Sequence, residues 1–119
     1  MHYQKVIHRD IKPSNLLRAD NGEVKIADLG VSDEFDGVDA MLTATAGTPA
    51  FTPPECLTTT RTGGDGWSGK AADIWSLGVT LFCLVTGFLP FPGVTVMEVY
   101  DKIKSQDPEV ILSLPCLPL

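Results

Sequence analysis

The sequence predicts an α+β domain that is mainly helical and carries one small β-hairpin. Three observations lead there. Residues 74–91, "IWSLGVTLFCLVTGFLPF", form an apolar run without a charged side chain. Residues 95–105, "TVMEVYDKIKS", place Val96, Val99, Tyr100 and Ile103 on one side of a helix and polar residues on the other. Residues 15–30, "NLLRADNGEVKIADLG", read as strand, turn, strand.

Taken in order, residues 1–6 read as the end of a helix. The hairpin turns at Asn21-Gly22, because glycine reaches positive φ without a steric penalty. Val24 and Ile26 then alternate with Glu23 and Lys25, the period of a strand with one covered face. Residues 31–54 show no sustained period and hold an acidic patch at Asp33, Glu34, Asp36 and Asp39. A connection of that length is functional or mobile. "TTTRTGGDGWSG", residues 58–69, reads as a surface insertion. A strong helix follows from about Lys70 to Thr86, with Ser68 as its N-cap and Asp73 in the first turn, where the helix dipole favours a carboxylate. Ile74, Gly78, Leu81 and Val85 share one face, with Trp75, Val79 and Phe82 beside them. A helix apolar nearly all round belongs in the middle of a packed structure. Gly87 ends it, and Pro90 and Pro92 prevent its return. The last stretch, "PEVILSLPCLPL", is apolar and broken by prolines.

With 119 residues the chain is one domain or less, and 44% hydrophobic residues exclude a disordered composition. A net charge of −6, with basic residues scattered, argues against nucleic-acid and anionic-membrane binding. Cys56, Cys83 and Cys116 fit neither a zinc spacing nor a disulfide framework, so reduced thiols in a cytoplasmic protein are expected. The 74–91 run falls short of about 20 apolar residues needed to span lipid, contains Ser76, Thr80 and Thr86, and stops at glycine and proline. It is expected to be a core helix. No signal peptide is visible after Met1.

The chemistry concentrates in "HRDIKPSNLL", residues 8–17. Two explanations compete: a polar surface loop backed by a hairpin, or a loop that holds phosphate, metal and a hydroxyl together. The hairpin can return Asp28 to the neighbourhood of Asp10 and Asn15. Two carboxylates and an amide oxygen are hard ligands, suited to magnesium that keeps water and phosphate oxygens as its other ligands. Lys12 adds a mobile positive charge.

"HRDIKPSN" resembles the protein-kinase catalytic loop, with Ile11 where leucine is usual; "DLG", Asp28 to Gly30, resembles the metal-binding triplet D-F-G; and "PPE", Pro53 to Glu55, resembles A-P-E. Their order, with "DIWSLGV" following, strengthens the resemblance. It implies the larger, mainly helical lobe of a protein kinase, incomplete, with residues 1–107 as a partial kinase domain and 108–119 as a divergent tail. The small lobe and the last helices are expected to be missing, since no glycine-rich loop precedes the catalytic loop. The resemblance implies ATP and Mg2+ as cofactors. Asp10 would accept the substrate hydroxyl proton, Lys12 would stabilise phosphate charge, and Asn15 and Asp28 would hold the metal and nucleotide phosphates. A lysine at position 12 implies serine/threonine specificity. His8, Gly30, Thr48, Glu55 and Asp73 would be structural supports. Glu55 would lack the arginine it pairs with in the family, and Asp73 would tie down the catalytic-loop backbone. Arg9 would receive an activation-loop phosphate.

"KIADLGVSDEF" and "TATAGTPAFTPPE" resemble the upstream kinases that activate AMP-activated and sucrose-non-fermenting-type kinases. These include the calcium/calmodulin-dependent protein kinase kinases, their plant and fungal counterparts, and the liver kinase B type. The implied partner is a protein substrate, an AMP-activated-type kinase among the candidates, with calmodulin a partner of the parent enzyme only. Thr45 is the implied phosphorylation site and Thr43 competes with it; phosphate there adds about −1.5 to −2 charge and can pair with Arg9. Two functions are open: a fragment of an active kinase, itself inactive, or a non-catalytic docking module that keeps the lobe's surface. A degenerate kinase would have lost Asp10 or Asp28, and both are present.

Overall fold

The structure is a computed structural model, and it describes residues 1–39, 41–42, 47–58 and 66–106. Thr43, Thr45 and the 108–119 tail lie outside the described residues. The element order begins with a 3-10 turn at His2–Gln4, where the sequence suggests a helix end, followed by β1 (Val6–Ile7). The hairpin comes next, with β2 (Leu16–Arg18) antiparallel to β3 (Val24–Ile26) and Leu16 opposite Ile26. Gly22 sits at φ 87° in the turn, which the glycine permits. The alternation in β3 does not create a covered face: Val24 and Ile26 are both exposed on a sheet of two strands.

The described residues of the aperiodic segment form more regular structure than their pattern suggests. It contains β4 (Asp33–Glu34), which pairs with β1, and β5 (Met41–Leu42), followed by a 3-10 turn at Pro49–Phe51. Short antiparallel bridges need backbone pairing alone, so they leave no hydrophobic period to read. After α1 (Glu55–Thr58) comes β6 (Trp67–Ser68), which pairs with β5. The end of the expected surface insertion is therefore structural: Trp67 is buried against Ile7, with Phe35, Cys56 and Ala72 around them.

The long helix is α2 (Gly69–Thr86). Ser68 caps it, accepting the Ala71 amide at 3.0 Å, and the Gly87 amide closes the other end on the Cys83 carbonyl. Asp73 lies beyond the first turn rather than in it, so its carboxylate answers to the loop beside it and not to the dipole. The burial of α2 also departs from the expectation of a helix surrounded on all sides. Its buried residues are Gly69, Asp73, Ser76, Val79 and Thr80, whereas Ile74, Leu77, Leu81, Leu84 and Val85 are exposed among the described residues. By length and composition α2 could cross a membrane, but it carries Lys70 and a buried Asp73 bound to the chain's own backbone.

The last helix, α3 (Val96–Ser105), starts in a capping box: Thr95 accepts the Glu98 amide and Glu98 reaches back to the Thr95 amide. Val99 and Ile103 are buried with Phe91, against Ala50, Leu57, Trp75 and Tyr100. Trp75 and Phe91 stack with ring centroids 6.2 Å apart. This second core holds the end of the aperiodic segment, at Ala50, against the helices.

Candidate active site

Three stretches of chain meet around one loop: the strip that begins at Gly47 reaches the loop after β1 at Asp10, and the turn after β3 reaches it at His8 and Asn15. The loop after β1 is shaped by Asp73. Its carboxylate is 2% exposed and accepts the His8 amide at 2.8 Å and the Arg9 amide at 2.9 Å. A buried carboxylate is tolerable only when its oxygens are hydrogen-bonded, and these two amides do that. Gripping both amides holds Arg9 at φ 73°, a left-handed conformation that costs a non-glycine residue roughly 1–2 kcal/mol. His2 adds a third contact, its Nε2 lying 2.8 Å from the same carboxylate.

His8 is fully buried. Its Nδ1 accepts the Asp10 amide at 3.0 Å and its Nε2 lies 2.8 Å from the Ala27 carbonyl oxygen. The Ala27 amide in turn donates to the Asn15 carbonyl at 2.8 Å. These backbone contacts bring the residue before Asp28 to the start of the hairpin, on the side of Asp10 and Asn15. Asp28 itself stands at φ 60°, exposed, with Oδ1 accepting the Gly30 amide at 3.2 Å. Asn15 is buried and its Nδ2 donates to the Asp10 carbonyl at 2.8 Å, with the Asp10 carboxylate 3.4 Å away.

The Asp10 side chain is the centre of a three-way contact. Its Oδ1 accepts the Thr48 hydroxyl at 3.0 Å, Lys12 Nζ donates to Thr48 Oγ1 at 2.8 Å, and Lys12 Nζ lies 3.6 Å from Asp10 Oδ2. Gly47 makes this approach possible. A Cβ built there would sit 2.4 Å from the Arg9 carbonyl oxygen. Arg9 reaches Asp33 on β4 at 3.9 Å, so its guanidinium already faces the aperiodic segment. Glu55 stands at the start of α1 beside Cys56, where burial and then the Glu55 charge push the thiol up to about 12.

The donor chemistry fits a hard divalent cation. Asn15 turns its nitrogen to Asp10, and Asp28 commits one oxygen to Gly30, so each retains an oxygen for a metal. No group of three His, Cys, Asp or Glu side chains clusters for a metal among the described residues.

One pattern escapes a search for ordered kinase motifs. Gly64, Gly66 and Gly69 have G-x-G-x-x-G spacing ahead of a helix. The described end of that run is used otherwise: Trp67 packs on Ile7, and Ser68 with the Lys70 amide holds the Asp39 carboxylate where a phosphate would sit.

The protein kinase domain model matches residues 1–115. The chain belongs to the protein kinase domain family. It is 55% identical over 117 residues to a calcium/calmodulin-dependent protein kinase kinase of Caenorhabditis elegans, covering 98% of this chain and 21% of that protein. It is 50% identical over 107 residues to the calcium/calmodulin-dependent protein kinase kinase cmkC of Emericella nidulans, covering 89% of this chain and 20% of the relative. Serine/threonine-protein kinase GRIK1 of Arabidopsis thaliana is 48% identical over 103 residues, 87% of this chain and 25% of that kinase. The chain thus spans about a fifth to a quarter of the length of these relatives. The triplet His8-Arg9-Asp10, which resembles H-R-D, lies within the matched residues and at this junction.

Proposed function

We propose that these residues carry the catalytic loop, activation segment and first helices of the large lobe of a serine/threonine protein kinase that activates other kinases. The observation that supports this best is the contact among Asp10, Lys12 and Thr48, which joins the loop of the would-be base to the segment that receives substrate. In this reading Asp10 accepts the proton of a substrate serine or threonine hydroxyl while that hydroxyl's oxygen bonds the γ-phosphoryl group of ATP and ADP leaves. Thr48 holds the carboxylate in place, and Lys12, with its charge already directed at Asp10, offsets charge on the transferring phosphate. ATP and Mg2+ supply the phosphoryl group and neutralise its developing charge. Asn15 and Asp28 are the residues of this chain suited to hold the metal. Arg9 exchanges Asp33 for a phosphate on Thr45 or Thr43 when the enzyme is activated.

The relatives named calcium/calmodulin-dependent protein kinase kinase support a protein substrate that is itself a kinase. An AMP-activated-type kinase is the class we favour, with calmodulin acting on the full-length enzyme and the protein working in the cytoplasm. The 119-residue polypeptide alone has no glycine-rich loop or strand lysine ahead of Asp10, and we propose that by itself it transfers no phosphate.

The test is transfer of labelled phosphate from ATP to a kinase activation-loop peptide by the full-length protein. Asp10→Asn is expected to lower kcat by about 10²–10⁴. A threonine peptide that is not phosphorylated by the wild type, or an Asp10→Asn variant with undiminished kcat, would sink the reading. Turnover by the 119-residue polypeptide would overturn its proposed inactivity.

A further inference from the structure

Asp39 lies between Asp28 and Glu55 in the segment without sequence periodicity. Its carboxylate accepts the Ser68 hydroxyl and, through Oδ1, the Lys70 amide at 3.0 Å. It therefore occupies the N-terminus of α2, where free amides and the helix dipole favour a negative charge. Just beyond it, β5 pairs with β6, Met41 opposite Ser68 and Leu42 opposite Trp67. Trp67 is buried on Ile7, the residue before His8.

The same helix holds two other pieces of the site. Asp73 grips the His8 and Arg9 amides, and the Ser76 hydroxyl donates to the Phe51 carbonyl at 3.0 Å. The described residues of the segment are thus fastened at two points of α2 and its cap, at Asp39 and at Phe51. Thr48, close to the second fastening, bonds to Asp10.

We propose that Asp39 is a positioning residue for the protein substrate. By clasping the N-terminus of α2 it holds β5 against β6, on the segment whose described residues Thr48 and Phe51 contact Asp10 and α2. It touches no reacting atom, and nucleotide binding does not depend on it. The inference rests on the kinase reading above, and goes beyond it by naming a clasp outside the H-R-D-like, D-L-G and P-P-E triplets.

The chemistry of the clasp supplies the test. Asp39→Ala removes both hydrogen bonds. Asp39→Asn keeps both, since its Oδ1 can accept the Lys70 amide and its Nδ2 can donate to Ser68 Oγ. In the full-length protein, Asp39→Ala is expected to speed amide exchange at Met41, Leu42, Trp67 and Ser68 by about tenfold, the scale of a lost helix cap. It should raise KM for the peptide by a similar factor and leave KM for ATP unchanged. Asp39→Asn should restore both readouts, and Asp36→Ala, at an exposed acidic neighbour, should change neither. If Asp39→Ala does not fold, Asp39→Glu carries the test, because it keeps the charge but displaces the carboxylate and should also raise the peptide KM. Unchanged exchange in the displaced variant, an unchanged peptide KM, or equal loss in Asp39→Asn would each overturn the proposal. A wild type without kinase activity would sink the kinase reading instead, and the exchange measurements would then decide the clasp alone.

Discussion

Gly47 lies against Arg9 so closely that a Cβ on the glycine would fall 2.4 Å from the Arg9 carbonyl oxygen and 3.2 Å from Asp10 Oδ1. Gly47 also stands at φ 88°. Gly47→Ala therefore meets backbone strain and a clash together, and is expected to destabilise by about 2–4 kcal/mol or to push the strip away from Asp10. Denaturant titration of the full-length protein, with kcat measured alongside, checks this. Wild-type values for both would contradict it.

The Asp73 carboxylate accepts the amides of both His8 and Arg9, one on each oxygen. Asp73→Ala leaves those two donors and the imidazole of His2 without their carboxylate, at an expected cost of about 3–5 kcal/mol. Asp73→Asn keeps one acceptor oxygen and should cost less. The order of the two melting temperatures tests the account, since equal losses would mean that the lost packing and not the hydrogen bonds is responsible.

Cys56 is expected to resist alkylation at neutral pH. Its thiol is pushed up to about 12 by burial first and by the Glu55 charge second. The reactive thiolate is thus scarce. The sign for stability follows from a folded pKa above the unfolded value of about 8.5. The folded state keeps its full advantage below that pH and loses it as pH rises toward 12. A maleimide rate at pH 8 at least about tenfold below that of a free cysteine is expected; an equal rate would refute it. Glu55→Gln should raise the rate without reaching that of free cysteine, because burial is the larger cause.

Glu98 is held below the usual carboxylate range by the Val94 and Thr95 amides it accepts, despite being exposed. A depressed folded pKa stabilises above the unfolded value of about 4.3 and is lost as pH falls through the folded one. The start of α3 should therefore fray in acid, seen as faster amide exchange at Val94 and Thr95 below about pH 4. Glu98→Gln, which keeps an acceptor oxygen but does not titrate, should remove that pH dependence. Acid fraying that persists in Glu98→Gln would place its origin elsewhere.

Much of the site is legible in the chain because its chemistry is local. "HRDIKPSN" puts Asp10, Lys12 and Asn15 on one short loop, and Asn21-Gly22 folds the hairpin that returns Ala27 to Asn15. Helix α3 is legible for the same reason, since Thr95 and Glu98 are neighbours on one turn. The Asp39 clasp, the burial of Trp67 and the two-residue strands are not. They join residues far apart in sequence through backbone pairing and single carboxylates, which impose no period. The polarity of α2 misleads for a related reason. Its apolar residues suggest burial all round, whereas the buried face carries Asp73 and Ser76, which hydrogen-bond to the His8 and Arg9 amides and to the Phe51 carbonyl.

The sequence by itself determined the family, the residue types suited to catalytic and metal-binding chemistry, and the two main helices, because motif order, side-chain type and helical period are properties of neighbouring residues. Only the tertiary structure decided which atoms meet: that Thr48 and Lys12 converge on Asp10, that Asp73 reaches across to the backbone of His8 and Arg9, and that Asp39 closes the N-terminus of α2. Those contacts depend on where the chain turns back on itself, and a buried carboxylate or a backbone amide can be satisfied by many distant residues until the fold selects one.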